Sequence, residues 1–341
     1  MPKRQAITMT DLARIGGYSR LTVSLALGNR PGVAEDTRQR ILALAEAHGY
    51  TPNLLAGVLK GKPSNLIGVV VRDIANPYYS AIIQGIESIT APAGYTLLNL
   101  STHEDHAREV RALRTLAAYQ VDGVLLAPIL RGVDFSHVAR YGRERKPLIT
   151  FERIPELGFD YVDFEDEEGA LLATDYLARM GHQNLAYIAG PATSKSSEER
   201  LAGFKKGLAR HKIPFSKSLC APGGSSAQDG YRAALELLRV PGRRPTAIFA
   251  FSDLVAIGVY KAAQELGLRI PRDLSVVGYD DVELASVLGP SLTTIGFSIG
   301  DVGRFVAERM LEAIRSGKQK TGLAQRFTPR LIERGSVRRL H

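Results

Sequence analysis

Tyr78, Tyr79, Arg200, Asp253 and Asp280 share a setting, since each stands just after a run of apolar residues. LIGVVV runs into RDIANPYYS, LAYIAG into PATSKSSEER, AIFAFS ends on Ser252-Asp253, and SVVGYD ends on Asp280-Asp281. Two aromatic rings, a guanidinium and carboxylates suit a polyol, because ring faces stack on CH patches while charged groups take hydroxyls. Plainer readings stand beside this one. The tyrosines could be core, Arg200 could pair on the surface with Glu198 or Glu199, and Asp253 could cap a helix. Asp280 has the strongest claim, because a carboxylate ending a buried strand needs a partner.

Catalytic patterns are missing. No G-x-G-x-x-G follows an apolar run, GVLKGKP at Gly57 lacks phosphate-loop spacing, and no G-x-S-x-G occurs. His103 and His106 lie three apart without a third ligand, so neither a metal nor another cofactor is expected, and no enzyme.

A second chemistry is written at the amino end. From Thr8 to Ala34, Met9, Leu12, Ala13 and Ile15 have helical spacing, with Thr8 or Thr10 placed to cap and Asp11 in the first turn. Gly16-Gly17 breaks the pattern. Ser19 can cap a second helix, Arg20 to Leu27, which turns Arg20, Thr22 and Ser24 away from its apolar positions and ends at Gly28-Asn29. Helix, glycine turn, helix is the arrangement whose second member lies in the DNA major groove, although a plain helical hairpin has the same outline.

The elements that position both sets follow from pattern. A third helix is expected from Glu35 to His48, and a short one after Asn53, weakened by Gly57 and ended by Pro63-Ser64. From Leu66, runs rich in Val, Ile and Leu alternate with amphipathic helices, which implies parallel sheets covered on both faces. Two such blocks, divided near Pro155 to Tyr161, give two doubly wound subdomains with a cleft at the carboxyl ends of their strands.

Composition agrees with this division. The chain has 341 residues, suited to two or three domains, and a net charge of +9. Residues 1–63 hold nine Lys/Arg against four acids, as expected of an end that grips phosphate. Residues 315–341 hold eight against one, read as a solvated face. No apolar run reaches the ~18 residues of a membrane span, no secretory signal is visible, and Cys220 alone makes no internal disulfide. A cytoplasmic chain without a membrane partner is expected.

The run DLARIGGYSRLTVSLALGN, followed by V-x-x-x-T-R at Val33 to Arg38 and GYTPN at Gly49, resembles the headpiece of the lactose-repressor (LacI/GalR) family of bacterial transcription regulators. So do EVRALRTLAAYQVDGVLLAP, YLARMGHQNLAYIAGP, PTAIFAFSDLVAIGVYKAAQELGLRIPRDLSVVGYDDVELA and PRLIERGSV, in order over essentially the whole chain. The resemblance implies a helix-turn-helix headpiece (1–50), a hinge (51–64) and a core of periplasmic-binding-protein type (65–341). It splits that core into subdomains of about 65–157 with 290–323, and 158–289 with 324–341. It implies a homodimer on near-palindromic double-stranded operator DNA, usually as a repressor, and a small, sugar-like effector in the cleft.

Carried over by position, DNA contacts fall to Thr8, Ser19, Arg20, Leu21, Thr22, Ser24, Leu25 and Asn29. In the hinge they fall to Asn53, Ala56 and Leu59, with Leu59 as a minor-groove wedge. Effector contacts fall to Tyr78, Tyr79, Ser194, Ser196, Arg200, Asp253 and Asp280. Leu25 replaces a common arginine, so base reading passes to Arg20, Thr22 or apolar contacts with thymine methyls. Glu152 stands before Arg153 where aspartate is common. No leucine-rich heptad tail follows PRLIERGSV, so a tail-driven tetramer is not expected. The alternative is a free-standing solute-binding protein without a DNA role.

Overall fold

A computed structural model describes residues 7–51, 57–58, 61–143, 146–154, 157–239, 244–317 and 322–340. These form two units, residues 1–64 and 65–341.

In the first unit, α1 (Met9–Gly16), α2 (Arg20–Leu27) and α3 (Glu35–Ala47) enclose Leu12, Ala13, Val23, Ala26, Ile41 and Ala45. Leu12, Val23 and Ile41 are the large side chains there, each worth about 1.5–3 kcal/mol on burial. So thin a core depends on its caps. Thr8 accepts from the Asp11 amide while Asp11 accepts from the Thr8 amide, a reciprocal capping box. Gly17 closes α1 at φ 70°, a left-handed conformation that glycine adopts without a Cβ clash. Ser19 caps α2.

The second unit holds two six-stranded sheets. Its strands are β1 (Leu66–Val71), β2 (Thr96–Ser101), β3 (Gly123–Leu126), β4 (Leu148–Phe151), β5 (Asp160–Phe164), β6 (Leu185–Ile188), β7 (Cys220–Ala221), β8 (Ala247–Ala250), β9 (Ser275–Asp280), β10 (Thr293–Gly296), β11 (Ala324–Phe327) and β12 (Arg330–Ile332). The first sheet runs β11-β5-β4-β3-β1-β2 and the second β12-β10-β9-β8-β6-β7. All pairings are parallel except β12 on β10. The central strands β3, β4, β6, β8 and β9 are buried along their whole length, as strands covered on both faces must be.

The helices are α4 (Pro77–Thr90), α5 (His106–Ala118), α6 (Ser136–Arg143), α7 (Asp166–Arg179), α8 (Lys195–Arg210), α9 (Ala227–Leu238), α10 (Asp253–Glu265), α11 (Glu283–Val287) and α12 (Ile299–Ser316). Helix α12 packs on α4 of the first lobe, and α7 on α8 of the second.

The chain passes between the sheets three times, at boundaries other than those expected. Strand β5 lies in the first sheet, so the first crossing follows Phe164 rather than residue 157. Strand β10 stays in the second sheet, so the second crossing follows Gly296 rather than residue 289. Strand β11 returns to the first sheet beside β5, and only β12 ends in the second. Pattern missed β5 and β11 because DYVDF and AQRF carry polar residues, β11 being an exposed edge strand.

The basic carboxyl end is largely the solvated face expected, with Arg326, Arg330, Arg338 and Arg339 exposed, but Arg334 is built in. Arg334 donates to the Leu292 carbonyl at 2.9 Å and to Asp281 at 2.6 Å. Ser336 is fully buried, with its hydroxyl on the Val276 carbonyl at 2.6 Å.

Candidate functional site

Helix α2 turns Val23 and Ala26 inward and leaves Arg20, Leu21 and Ser24 exposed, with Thr22 and Leu25 half-buried. Leu21 is 69% exposed, so its side chain is free to meet a partner. The Ser19 hydroxyl accepts from the Thr22 amide at 3.0 Å and shares a hydrogen bond with the Thr22 hydroxyl at 2.8 Å. No acidic residue occupies the first turn of α2, whereas α1 has Asp11 and α3 has Glu35 and Asp36. The positive end of the α2 dipole is therefore uncompensated on the helix itself and suits a phosphate. Thr8 has its hydroxyl on Asp11 at 2.6 Å, and Asn29 is exposed at φ 47° just past α2. Asn53, Ala56 and Leu59 lie outside the described residues.

Arg38, one of the nine basic residues of the amino end, is buried and so does not face phosphate. It donates to the carbonyls of Ala26 at 3.1 Å, Leu25 at 3.3 Å and Arg30 at 2.7 Å, and so ties off the end of α2. The V-x-x-x-T-R motif carried that signal without its meaning.

The second site is a cavity of about 180 Å³ between the lobes of the core. Asn76 caps α4 by accepting from the Tyr78 amide, and Pro77 opens the helix, which sets Tyr78 and Tyr79 in its first turn against the cavity. Their rings meet edge to face, centroids 5.1 Å apart. Ser196, Arg200 and Asp280 also line the cavity.

Arg200 does not pair with Glu198 or Glu199. It is buried, with Nε on Asp166 at 2.7 Å, Nη1 on the Phe251 carbonyl at 2.6 Å and Asp280 at 3.6 Å, and its guanidinium 3.5 Å above the Tyr279 ring. Burial opposes its charge, but Asp166, Tyr279 and Asp280 outweigh burial, so the pKa rises and Arg200 stays cationic. Burial pushes the Asp280 carboxyl up to about 7, with Arg200 pulling the other way.

Two expected contacts lie behind the wall. Asp253 is fully buried and does not line the cavity; it accepts from the Thr294 hydroxyl at 2.5 Å and the Val282 amide at 2.9 Å. Ser252, not Asp253, caps α10. Ser194 reaches the cavity only through Arg72, whose Nη1 donates to its hydroxyl at 3.1 Å.

Sequence reasoning missed the other half of the cavity. Arg72 follows β1 as Asp280 ends β9, and its Nη2 donates to Glu152 at 2.8 Å and to the Pro128 carbonyl at 3.3 Å. The strand-end rule that selected Asp280 would also have selected Arg72. Glu152, just after β4, and Asp280, at the end of β9, both have positive φ, 115° and 108°, a strained conformation found where a site fixes a side chain. Burial raises the Glu152 carboxyl above its ordinary pKa against the pull of Arg72. Glu152 Oε2 and Arg72 Nε are buried without a hydrogen-bond partner among the described residues. Arg72 Nε faces Glu104 at 3.8 Å, which leaves Glu152 Oε2 as the unsatisfied acceptor at this wall.

A two-lobed, parallel-sheet body that closes on a polar cleft, preceded by a helix-turn-helix, defines a ligand-binding transcription regulator. Residues 8–53 match the family described as bacterial regulatory proteins, lacI family, and residues 174–337 match the periplasmic binding protein-like domain. The chain belongs to the lacI family and is a DNA-binding regulator of transcription.

It is 32% identical over 334 residues to the HTH-type transcriptional regulator DegA of Bacillus subtilis strain 168, covering 97% of this chain and 98% of that one. The lac repressor dimer, solved bound to operator and the anti-inducer ONPF, matches with a TM-score of 0.82 and 29% identity, over 98% of this chain and 100% of that chain. A LacI family regulator from Enterococcus faecium with bound ribose matches at a TM-score of 0.72 and 28% identity, over 81% and 100%. Among the described residues, no helix is long and apolar enough to cross a membrane.

Proposed function

We propose that this chain is a repressor that binds a near-palindromic operator as a homodimer and changes its grip when a sugar-like effector fills the cleft. The cavity carries the effector half of this reading. The unsatisfied Glu152 Oε2 and the guanidinium of Arg72, beside the rings of Tyr78 and Tyr79, are what vicinal hydroxyls on a small ring would engage. Asp280, Arg200 and Ser196 face the same space from the second lobe. A ligand touching both lobes binds their closed arrangement better than an open one. It moves the equilibrium by that difference in affinity.

On DNA, Arg20, Leu21, Thr22, Ser24 and Leu25 read bases, while Thr8, Ser19 and Asn29 take phosphates. Asn53, Ala56 and Leu59 act in the minor groove between paired headpieces. Two headpieces on one dimer call for two half-sites about one helical turn or a multiple apart.

Gel shifts of the full chain on DNA upstream of its own gene test this reading, with thermal shifts against sugars, nucleosides and phosphorylated sugars. A ligand of the native state raises the melting temperature. The same ligand changes the gel-shift midpoint. A flat melting temperature over the panel overturns the cleft assignment, and an unchanged specific affinity in Arg20→Ala overturns the assignment of α2.

A further inference from the structure

Away from the cleft, His106, Glu109 and His137 form a cluster that the regulator's DNA and effector chemistry does not use. His106 opens α5, Glu109 follows one turn on, and His137 lies in the first turn of α6. Their ligand atoms all lie within 4.8 Å of one another. His137 Nε2 is 2.6 Å from one oxygen of the fully buried Glu109 carboxylate, whose other oxygen accepts from the Ile129 amide at 2.8 Å. The two imidazoles meet edge to face at 4.8 Å. Nδ1 of each is buried without a hydrogen-bond partner among the described residues, and the His137 side chain is 91% buried. Sequence spacing paired His106 with His103, which is exposed; the fold pairs it with Glu109 and His137 instead.

We infer that this trio is a binding site for a divalent transition-metal ion of the zinc type. Two imidazoles and a carboxylate, without sulfur, suit Zn²⁺, Co²⁺ or Ni²⁺; calcium and magnesium prefer all-oxygen sets. Zinc holds such atoms at about 2.0–2.2 Å, which places them roughly 3.4 Å apart around the ion. Opening the His137–Glu109 contact by under about 1 Å and drawing His106 in meets that spacing. His106 and His137 also line a hollow shared with Asp134, whose carboxylate already accepts from the Ser136 amide at 2.8 Å, so water completes the coordination. An ion here ties α5 to α6 and to the Pro128–Ile129 segment, whose Pro128 carbonyl holds Arg72 at the cleft.

The test uses a tag-free, chelator-stripped full chain titrated with ZnCl₂ by calorimetry and with CoCl₂ by visible absorption. The expected result is one Zn²⁺ per chain, a raised melting temperature and an intense four-coordinate cobalt band. His106→Asn with His137→Gln, which keeps a donor for Glu109, removes these effects. Affinity then falls by more than the roughly 10–100-fold that an outer-shell partner is worth. His106→Ala, at a half-exposed helix start, weakens binding without disturbing the fold and serves if the double variant does not fold. Absence of stoichiometric binding, equal binding by folded variants, or only the faint band of hydrated cobalt overturns the site and leaves the trio a hydrogen-bonded brace.

Discussion

Arg72 of the first lobe reaches the Ser194 hydroxyl of the second at 3.1 Å while it holds Glu152 of its own lobe at 2.8 Å. One buried cation thus fastens both walls of the cleft. Thr193 on Glu104, at 3.1 Å, and the Arg131–Glu198 pair cross the same gap. Closure of the lobes is therefore supported by contacts within the chain, and a ligand engaging Arg72 competes with or completes them.

The first prediction tests that cation. Arg72→Met leaves the buried Glu152 carboxylate without its partner and should destabilise the core by about 3–5 kcal/mol. Arg72→Met with Glu152→Gln removes both charges and should recover part of that loss. Urea denaturation of the two variants decides the matter. A double variant no more stable than the single would show that the ion pair is not the source of the effect.

Arg38 sets the second. Replacing it with Met removes the donors that tie off the carbonyls of Leu25, Ala26 and Arg30, at a cost of about 1–3 kcal/mol. For a three-helix unit with three large core side chains that is a large share of its stability. Operator binding should fall and proteolysis within residues 7–51 should rise, while effector-induced melting shifts persist. Unchanged proteolysis would place Arg38 outside the support of α2.

What could be read beforehand divides along physical lines. Continuous apolar runs such as LIGVVV and SVVGYD announced buried parallel strands, and their ends announced Tyr78, Tyr79, Arg200 and Asp280. Hidden were features that depend on distant partners. Asp166 heads a helix of ordinary amphipathic pattern, and only the fold brings it to Arg200, 34 residues on. Asp253 looked like a cleft residue because it follows a strand, but Thr294 and Val282 hold it behind the wall. Edge strands such as AQRF have no apolar face to betray them.

Leu21 gives a third prediction, because its exposure separates DNA binding from folding. Leu21→Ala should leave the melting temperature within about 0.5 kcal/mol equivalent of the parent. Affinity for the specific operator should fall about tenfold, ~1.4 kcal/mol, within the range of losing one base contact. Binding to random DNA and its salt slope should not change, because Leu21 carries no charge to release counterions. A parallel fall in random-DNA binding would move Leu21 from base reading to general support.

Asp280 supplies the last, through pH. Its folded pKa of about 7 lies above the ordinary carboxyl value of 3.8, with burial as the main cause and Arg200 opposing it. Between those values the folded chain keeps a proton that the unfolded chain releases. The carboxyl's contribution to stability therefore declines as pH rises through that window and is level above it. Asp280→Asn is neutral throughout and escapes the decline. The melting temperature of the variant minus that of the parent should rise from roughly pH 4 to pH 7 and then hold steady. A difference that stays level from roughly pH 4 to pH 7 and falls with rising pH only below about pH 4 would mean that Arg200 holds Asp280 ionised, with its pKa below the ordinary value. Burial would then have lost to the ion pair, and the cleft would present a fixed carboxylate acceptor rather than a group that exchanges its proton near neutrality.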